Sequence, residues 1–151
     1  MSELLDPFAV AMKSYVAAVR VKDVERFLAL YDDDLHVFDM WGQWSLRGID
    51  AWRGLVVEWF SSLRDEYVVV DVAEAEATCA GDLAIGHAIL TYTAHAADGR
   101  EIRSLNNRLT IALRRSGDVW KIFHEHTSAP IDHASAKAML RREPSDARTD
   151  K

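Results

Sequence analysis

Residues Asn106 to Pro130 read NNRLTIALRRSGDVWKIFHEHTSAP. Two apolar runs flank Ser116-Gly117-Asp118, the pattern of two antiparallel strands joined by a tight turn. Side chains alternate along a strand. On the first arm Leu105, Asn107, Leu109, Ile111 and Leu113 share one face; Ser104, Asn106, Arg108, Thr110 and Ala112 share the other. On the second arm Trp120, Ile122, His124, His126 and Ser128 oppose Lys121, Phe123, Glu125 and Thr127. A two-residue turn at Ser116-Gly117 sets Leu109 against His124 and Arg108 against Glu125. A longer turn or one bulge brings Arg108 beside His126 instead. Polar groups this deep in an apolar hairpin are costly unless paired, hydrated or used, so this is the first place to look for a site.

Outward from the hairpin, the periodicity divides the chain in two. Asp6-Pro7 caps and starts a helix carrying Phe8, Met12, Tyr15, Val16 and Val19. Asp23 caps a second helix with Phe27, Leu28, Leu30 and Tyr31, and Asp32-Asp33-Asp34 ends it in a solvated turn. Leu35 to Met40 reads as a short strand, and Gly42 to Gly48 as a loop or short hairpin. A third helix is expected from a cap at Asp50, with Trp52, Leu55, Val56, Trp59, Phe60 and Leu63 in one stripe. Strands follow at Tyr67 to Thr78, Leu83 to His95, Ile102 to Arg114 and Val119 to Ser128, with Asp98-Gly99 as a turn. The domain is placed at residues 1–133; a short helix at Ala134 to Arg142 and a polar tail make up 134–151. Helices first and four long antiparallel strands afterwards make an α+β protein, a curved sheet packed on a helical layer. Bending such a sheet around helices leaves a concavity fit for a small ligand.

Length and composition bound the function. A chain of 151 residues with 49% hydrophobic and 28% charged residues can bury a core without metal or disulfide staples. A net charge of −6 argues against nucleic acid as a partner. No apolar run approaches the ~20 residues that span a bilayer, and the N-terminus lacks a secretory pattern. A cytoplasmic location is expected. The single cysteine, Cys79, is expected to be a buried structural thiol.

The ending Trp120-Lys-Ile122-Phe-His124-Glu125-His126-Thr127-Ser128-Ala129-Pro130, with Asn107-Arg108-Leu109-Thr110 and Arg114-Arg115 before it and Gly48 ahead of the third helix, resembles the SnoaL-like branch of the nuclear transport factor 2-like superfamily. The resemblance runs from about Pro7 to Pro130. It is also similar to ketosteroid isomerase-like proteins and to the association domain of calcium/calmodulin-dependent protein kinase II. It implies a cone-shaped α+β barrel that pairs as a homodimer through its sheet. Some branches are isomerases, dehydratases or cyclases, and others only bind a ligand or assemble. The resemblance implies no cofactor and no metal.

Candidate site residues follow from chemistry. Asp39 ends a strand on the face of Leu35 and Val37, where a carboxylate serves either as a strand-end cap or as a base. Arg108 either pairs with Glu125 or holds an anionic or carbonyl oxygen. His124 and His126 suit a structural hydrogen bond or, at His126, proton transfer, since imidazole titrates near neutral pH. The catalytic set is therefore Asp39, Arg108 and His126. The ligand set is Trp41, Trp44, Trp59, His87, Asn106, Thr110, His124 and Glu125, with Trp41 and Trp44 as an aromatic lid. The partner is a small apolar or weakly acidic molecule, and the reaction a proton transfer beside a carbonyl. The alternative is a non-catalytic ligand-binding or association module. Convergence of Asp39, Arg108 and one histidine on one cavity would favour the former.

Overall fold

The computed structural model describes residues 6–143. Helix α1, Pro7–Val21, starts where Asp6 accepts from the Ala9 N–H (3.1 Å) and ends at Lys22, which takes the left-handed conformation (φ 56°). Asp23 caps α2, Val24–Leu28, in the same way. β1 covers Tyr31–Phe38, and the two-residue β2, Leu46–Arg47, folds back on it. α3, Ile49–Ser62, begins at Gly48 and not at Asp50. Gly48 has φ +92°, a conformation costly for any other residue, so the entry angle of the helix is set by backbone freedom and not by a capping side chain.

Four long strands complete the chain: β3 Tyr67–Ala80, β4 Leu83–His95, β5 Glu101–Ser116 and β6 Val119–Ser128. The sheet order is β2-β1-β6-β5-β4-β3. Every pairing is antiparallel except β1 with β6, which is parallel and joins strands some ninety residues apart. The α+β class and the helix-covered sheet agree with the expectation; the parallel pair is new.

The core lies between the helices and the inner face of the sheet. It holds Phe8, Met12, Tyr15 and Val19 of α1, Phe27 of α2, and Trp52, Val56 and Phe60 of α3. Leu90, Leu109, Ile111, Leu113 and Ile122 meet them from the sheet. Burying a Leu or Ile side chain contributes ~1.5–3 kcal/mol, which is why these alternating positions fix the inner face of each strand. α1 approaches so closely that a Cβ built on Gly86 would lie 2.2 Å from the Phe8 ring.

Three further expectations are corrected. Asp32 to Asp34 belong to β1 and not to a turn, because the acidic side chains face out and Asp32 binds Arg114 (2.9 Å). Cys79 is exposed, because the distal half of β3 extends past the helices that would cover it. No helix forms at Ala134 to Arg142. There Asp132 closes a turn on Ser135 and Ala136, Ala136 has φ +61°, and the Leu140 carbonyl accepts from the Asn106 N–H (2.8 Å). The tail beyond Glu143 lies outside the described residues.

Candidate active site

The hairpin turns at Gly117-Asp118, with Ser116 opposite Val119 and Gly117 at φ +64°. Glycine at the first central position is what a two-residue turn of this hand requires. Ala112 then pairs with His124 and Leu113 with Ile122, so Phe123 is an extra residue in β6. This bulge reverses the alternation. Ile122, Glu125 and Thr127 all face inward and are buried, whereas His124, His126 and Ser128 face outward. Arg108 lies opposite Ser128 and donates from Nε to its Oγ (3.0 Å). Neither expected register forms, and Arg108 meets neither Glu125 nor His126. The shift in turn position and the bulge act together, and neither is visible in a pattern of alternating residues.

Between α3, Tyr15 of α1 and the inner face of the sheet lies a cavity of about 420 Å³. Its walls are mainly Trp52, Leu55, Val56, Trp59, Leu63 and Val68. Its buried and half-buried polar groups come from several elements. Asp39 and Met40 enter from the end of β1, Tyr15 from α1, Tyr92 from β4, Asn107 from β5, and Glu125 and Thr127 from β6. The exposed Glu58, Ser62 and Arg103 and the half-buried Ser104 complete the polar lining. The parallel pairing of Val37 with Glu125 and Phe38 with His126 is what carries Asp39 to the end of β6.

Two carboxyl groups drawn away from solvent, Asp39 and Glu125, thus share one largely apolar chamber, with the exposed Glu58 as a third in its lining. Glu125 is 1% exposed and accepts from the Tyr31 hydroxyl (2.6 Å). Burial disfavours its charged form and pushes its pKa up to about 7; the Tyr31 bond pulls it down and the charge of Asp39 adds to the rise. Asp39 is also raised by burial. The Trp41 N–H (3.2 Å) and the Thr127 hydroxyl (3.4 Å) partly restore its charged form. Thr127 in turn accepts from the Met40 N–H (3.0 Å), which fixes the backbone beside Asp39. The Tyr15 and Tyr92 hydroxyls meet at 2.7 Å, and burial keeps both phenols protonated. One proton suffices for that bond, so the other remains to donate.

Of the residues expected from sequence, Asp39, Trp41, Trp59 and Glu125 come together on this cavity. Arg108, Thr110, His124, His126 and His87 sit on the opposite face of the sheet. Asp39, Arg108 and a histidine therefore do not converge. His124 Nδ1 bonds the His36 carbonyl oxygen (2.8 Å), and His36, Phe38, His124 and His126 form a ring cluster on that outer face. His87 is exposed, neither in the pocket nor in the core, because its β4 neighbours Ala88 and Leu90 take the buried positions. Asn106 is held by Thr91 (2.7 Å) and by the Arg142 N–H (2.6 Å). Trp44 is 97% exposed and covers nothing. Tyr15, Tyr31, Tyr92, Asn107 and Thr127 were missed as site residues. Tyr92 was findable, since the face of β4 opposite Ile85, His87 and Ile89 had to be the inner one.

The SnoaL-like domain model matches residues 9–132. The chain belongs to the SnoaL-like domain family. No curated protein sequence matches it. Among solved structures, this SnoaL-like domain is similar to a nuclear transport factor 2-like protein of unknown function from Pseudomonas putida KT2440. Identity is 28%, coverage is 91% of this chain and 94% of that one, and the TM-score is 0.79. A nuclear transport factor 2-like protein with a cystatin-like fold from Novosphingobium aromaticivorans is 16% identical over 86% of this chain and 84% of that one, with a TM-score of 0.71. A proposed dehydratase of the same family from Streptomyces avermitilis is 17% identical over 83% and 95%, with a TM-score of 0.68. These likenesses establish a cystatin-like α+β fold. No helix of the described residues is long and apolar enough to cross a membrane.

Proposed function

We propose that this SnoaL-like domain is an enzyme that moves a proton next to the carbonyl of a small, largely apolar compound. The observation that carries the reading is the pair of unequal carboxyl groups, Asp39 and Glu125, in one apolar cavity beside a phenol pair. Groups whose surroundings separate their proton affinities divide naturally into base and acid. Asp39, with two donors on its oxygens, takes the α-proton from the substrate. The electron pair of that C–H bond moves to the carbonyl oxygen, where the free phenol proton of the Tyr15–Tyr92 pair stabilises the charge. Glu125, which holds a proton near neutral pH, returns one when the enolate collapses. The step needs no cofactor. A neighbour described as a proposed dehydratase is consistent with enolate chemistry on this fold.

The test is exchange of the C2 protons of 1-tetralone for deuterium, followed by NMR. The protein is expected to accelerate exchange well beyond an equal concentration of acetate, and Asp39→Asn to slow it ~100-fold or more. Exchange no faster than with acetate would discard the reading.

The outer sheet face, with the Phe38–histidine cluster and Ile85 (50% exposed), is the surface we assign to a second copy of the chain. Light scattering across a concentration series tests this, and a monomer throughout would refute it. If the dimer forms and no exchange is seen, the association-module reading takes precedence.

A further inference from the structure

The loop that joins β1 to β2 runs along the rim of the cavity. Trp41 lines the cavity and is 53% exposed. Trp44, three residues on, is 97% exposed. Three residues of extended chain span at most ~11 Å, so the Trp44 backbone stays that close to Trp41 and its indole stays within reach of the rim. Leu55, Glu58, Trp59 and Ser62 of α3 and Arg103 of β5 form the rest of the rim, all exposed or half-buried.

The loop is anchored at both ends and loose between them. On the β1 side the Met40 N–H donates to Thr127 Oγ1 (3.0 Å) and the Trp41 N–H to Asp39 Oδ2 (3.2 Å). On the β2 side Leu46 pairs with Val37 and Arg47 with His36. Between the anchors, residues 42–45 have one hydrogen bond among the described residues, from the Gln43 N–H to the Trp41 carbonyl oxygen (2.8 Å). It closes a three-residue turn with Gly42 at φ +74°, a strained shape that glycine tolerates. A Cβ built on Gly42 would meet nothing within 4 Å. A segment with one hydrogen bond and open space beside its glycine moves at little cost.

Trp44 has much to gain by moving. Indole is a large, mostly apolar surface, and leaving it in water is unfavourable once an apolar neighbour is within reach. An apolar molecule filling the cavity supplies that neighbour at the rim. We propose that residues 42–45 form a lid: when an apolar carbonyl compound occupies the cavity, the loop turns about Gly42 and the Trp44 indole closes over the mouth. The lid rests on the ligand reading above and adds a moving part to it. Closure shuts water out of the chamber while Asp39 and Glu125 move protons. Because the Trp41 N–H is bonded to Asp39, the anchor of the lid is also a support of the base.

The test is fluorine NMR on protein labelled with 5-fluorotryptophan, with the Trp44 resonance assigned from its absence in Trp44→Phe. The shift of that resonance between light and heavy water reports how exposed the ring is. It is expected to be full-sized in the protein alone and to fall by at least half at saturating 1-tetralone. In calorimetric titration, Trp44→Ala is expected to bind 1-tetralone tenfold or more weakly than wild type; a side chain this exposed is not needed for folding. A solvent shift that the ligand leaves unaltered, or a Trp44→Ala variant that binds within threefold of wild type, would overturn the lid. So would a Trp44 ring already shielded in the protein alone, which would place it against a second copy of the chain. If 1-tetralone does not bind, the ligand reading and the lid fall together. If Trp44 is covered but α-proton exchange is absent, the chemistry assigned to Asp39 falls and the lid stands.

Discussion

The two faces of the sheet carry the same currency of titratable groups and use it differently. The inner face holds Asp39, Glu125 and the Tyr15–Tyr92 pair among tryptophans and aliphatic side chains. There, little water screens a charge, so burial raises Glu125 to about 7 and raises Asp39 as well. The outer face holds His36, His87, His124, His126 and Arg108, all with access to solvent or to a neighbouring polar atom. Histidine outside and carboxyl inside reverses the arrangement that the residue types suggest. It shows that a group's chemistry follows from the side of the sheet it occupies, and on β6 that side is set by one bulge at Phe123.

Inserting an alanine between His124 and Glu125 is the harshest test of that contrast. The added residue turns Glu125 and Thr127 outward and His126 inward, which misplaces buried side chains along half a central strand. Loss of at least ~4 kcal/mol, or no folded protein, is expected in urea unfolding. Deleting Phe123, by contrast, leaves Ile122, Glu125 and Thr127 on the inner face as a regular alternation. A stable insertion variant would show that strand parity does not hold the faces apart.

Next in size is the pH dependence of stability. The folded-state pKa of Glu125 is raised to about 7 from 4.5, so the folded chain binds this proton more tightly than the unfolded one. Its contribution is fully present below about pH 4.5, falls as pH rises through about 7 and levels off above that. Asp39, also raised, acts in the same direction from its lower starting value. Relative to wild type, Glu125→Gln should gain about 3 kcal/mol between pH 4.5 and pH 8. A constant difference across that range would mean that Glu125 stays charged in the fold.

Tyr92→Phe removes one phenol of the inner pair and should slow tetralone exchange ~10-fold with little change in binding. An equal loss in both would make Tyr92 a simple ligand contact. The smallest effects belong outside: Arg108→Ala and His126→Ala should each alter stability by less than ~0.5 kcal/mol and leave exchange unaltered. A large loss of exchange in either would move the site to the outer face and break the contrast.

The contrast also separates what was legible in the sequence from what was not. Helix caps at Asp6 and Asp23, the stripe of α3 and the four long strands depend on local periodicity, and they appear where the residues place them. Asp39 was legible because it continues the parity of Leu35 and Val37, both fully buried. The site beyond it was not. The turn position shifts the register of β6 by two residues and keeps its parity, and the bulge at Phe123 alone reverses it. Trp44, 97% exposed, shows the same limit for loops, where composition suggests a lid but no periodicity says where the ring points.

The parallel pairing of β1 with β6 has a consequence in time. Strands β3 to β6 meander, each able to zip onto the one before it. Asp39 and Thr127, in contrast, meet across a sequence separation of 88 residues. Contacts this distant in sequence form late and slowly, since the chain between them must be ordered first. On a ribosome, the partner strand of β1 emerges only after α3 and strands β3 to β5. The chamber is thus open on one side until then, and the two carboxyl groups are first enclosed together when β6 slides in beside β1.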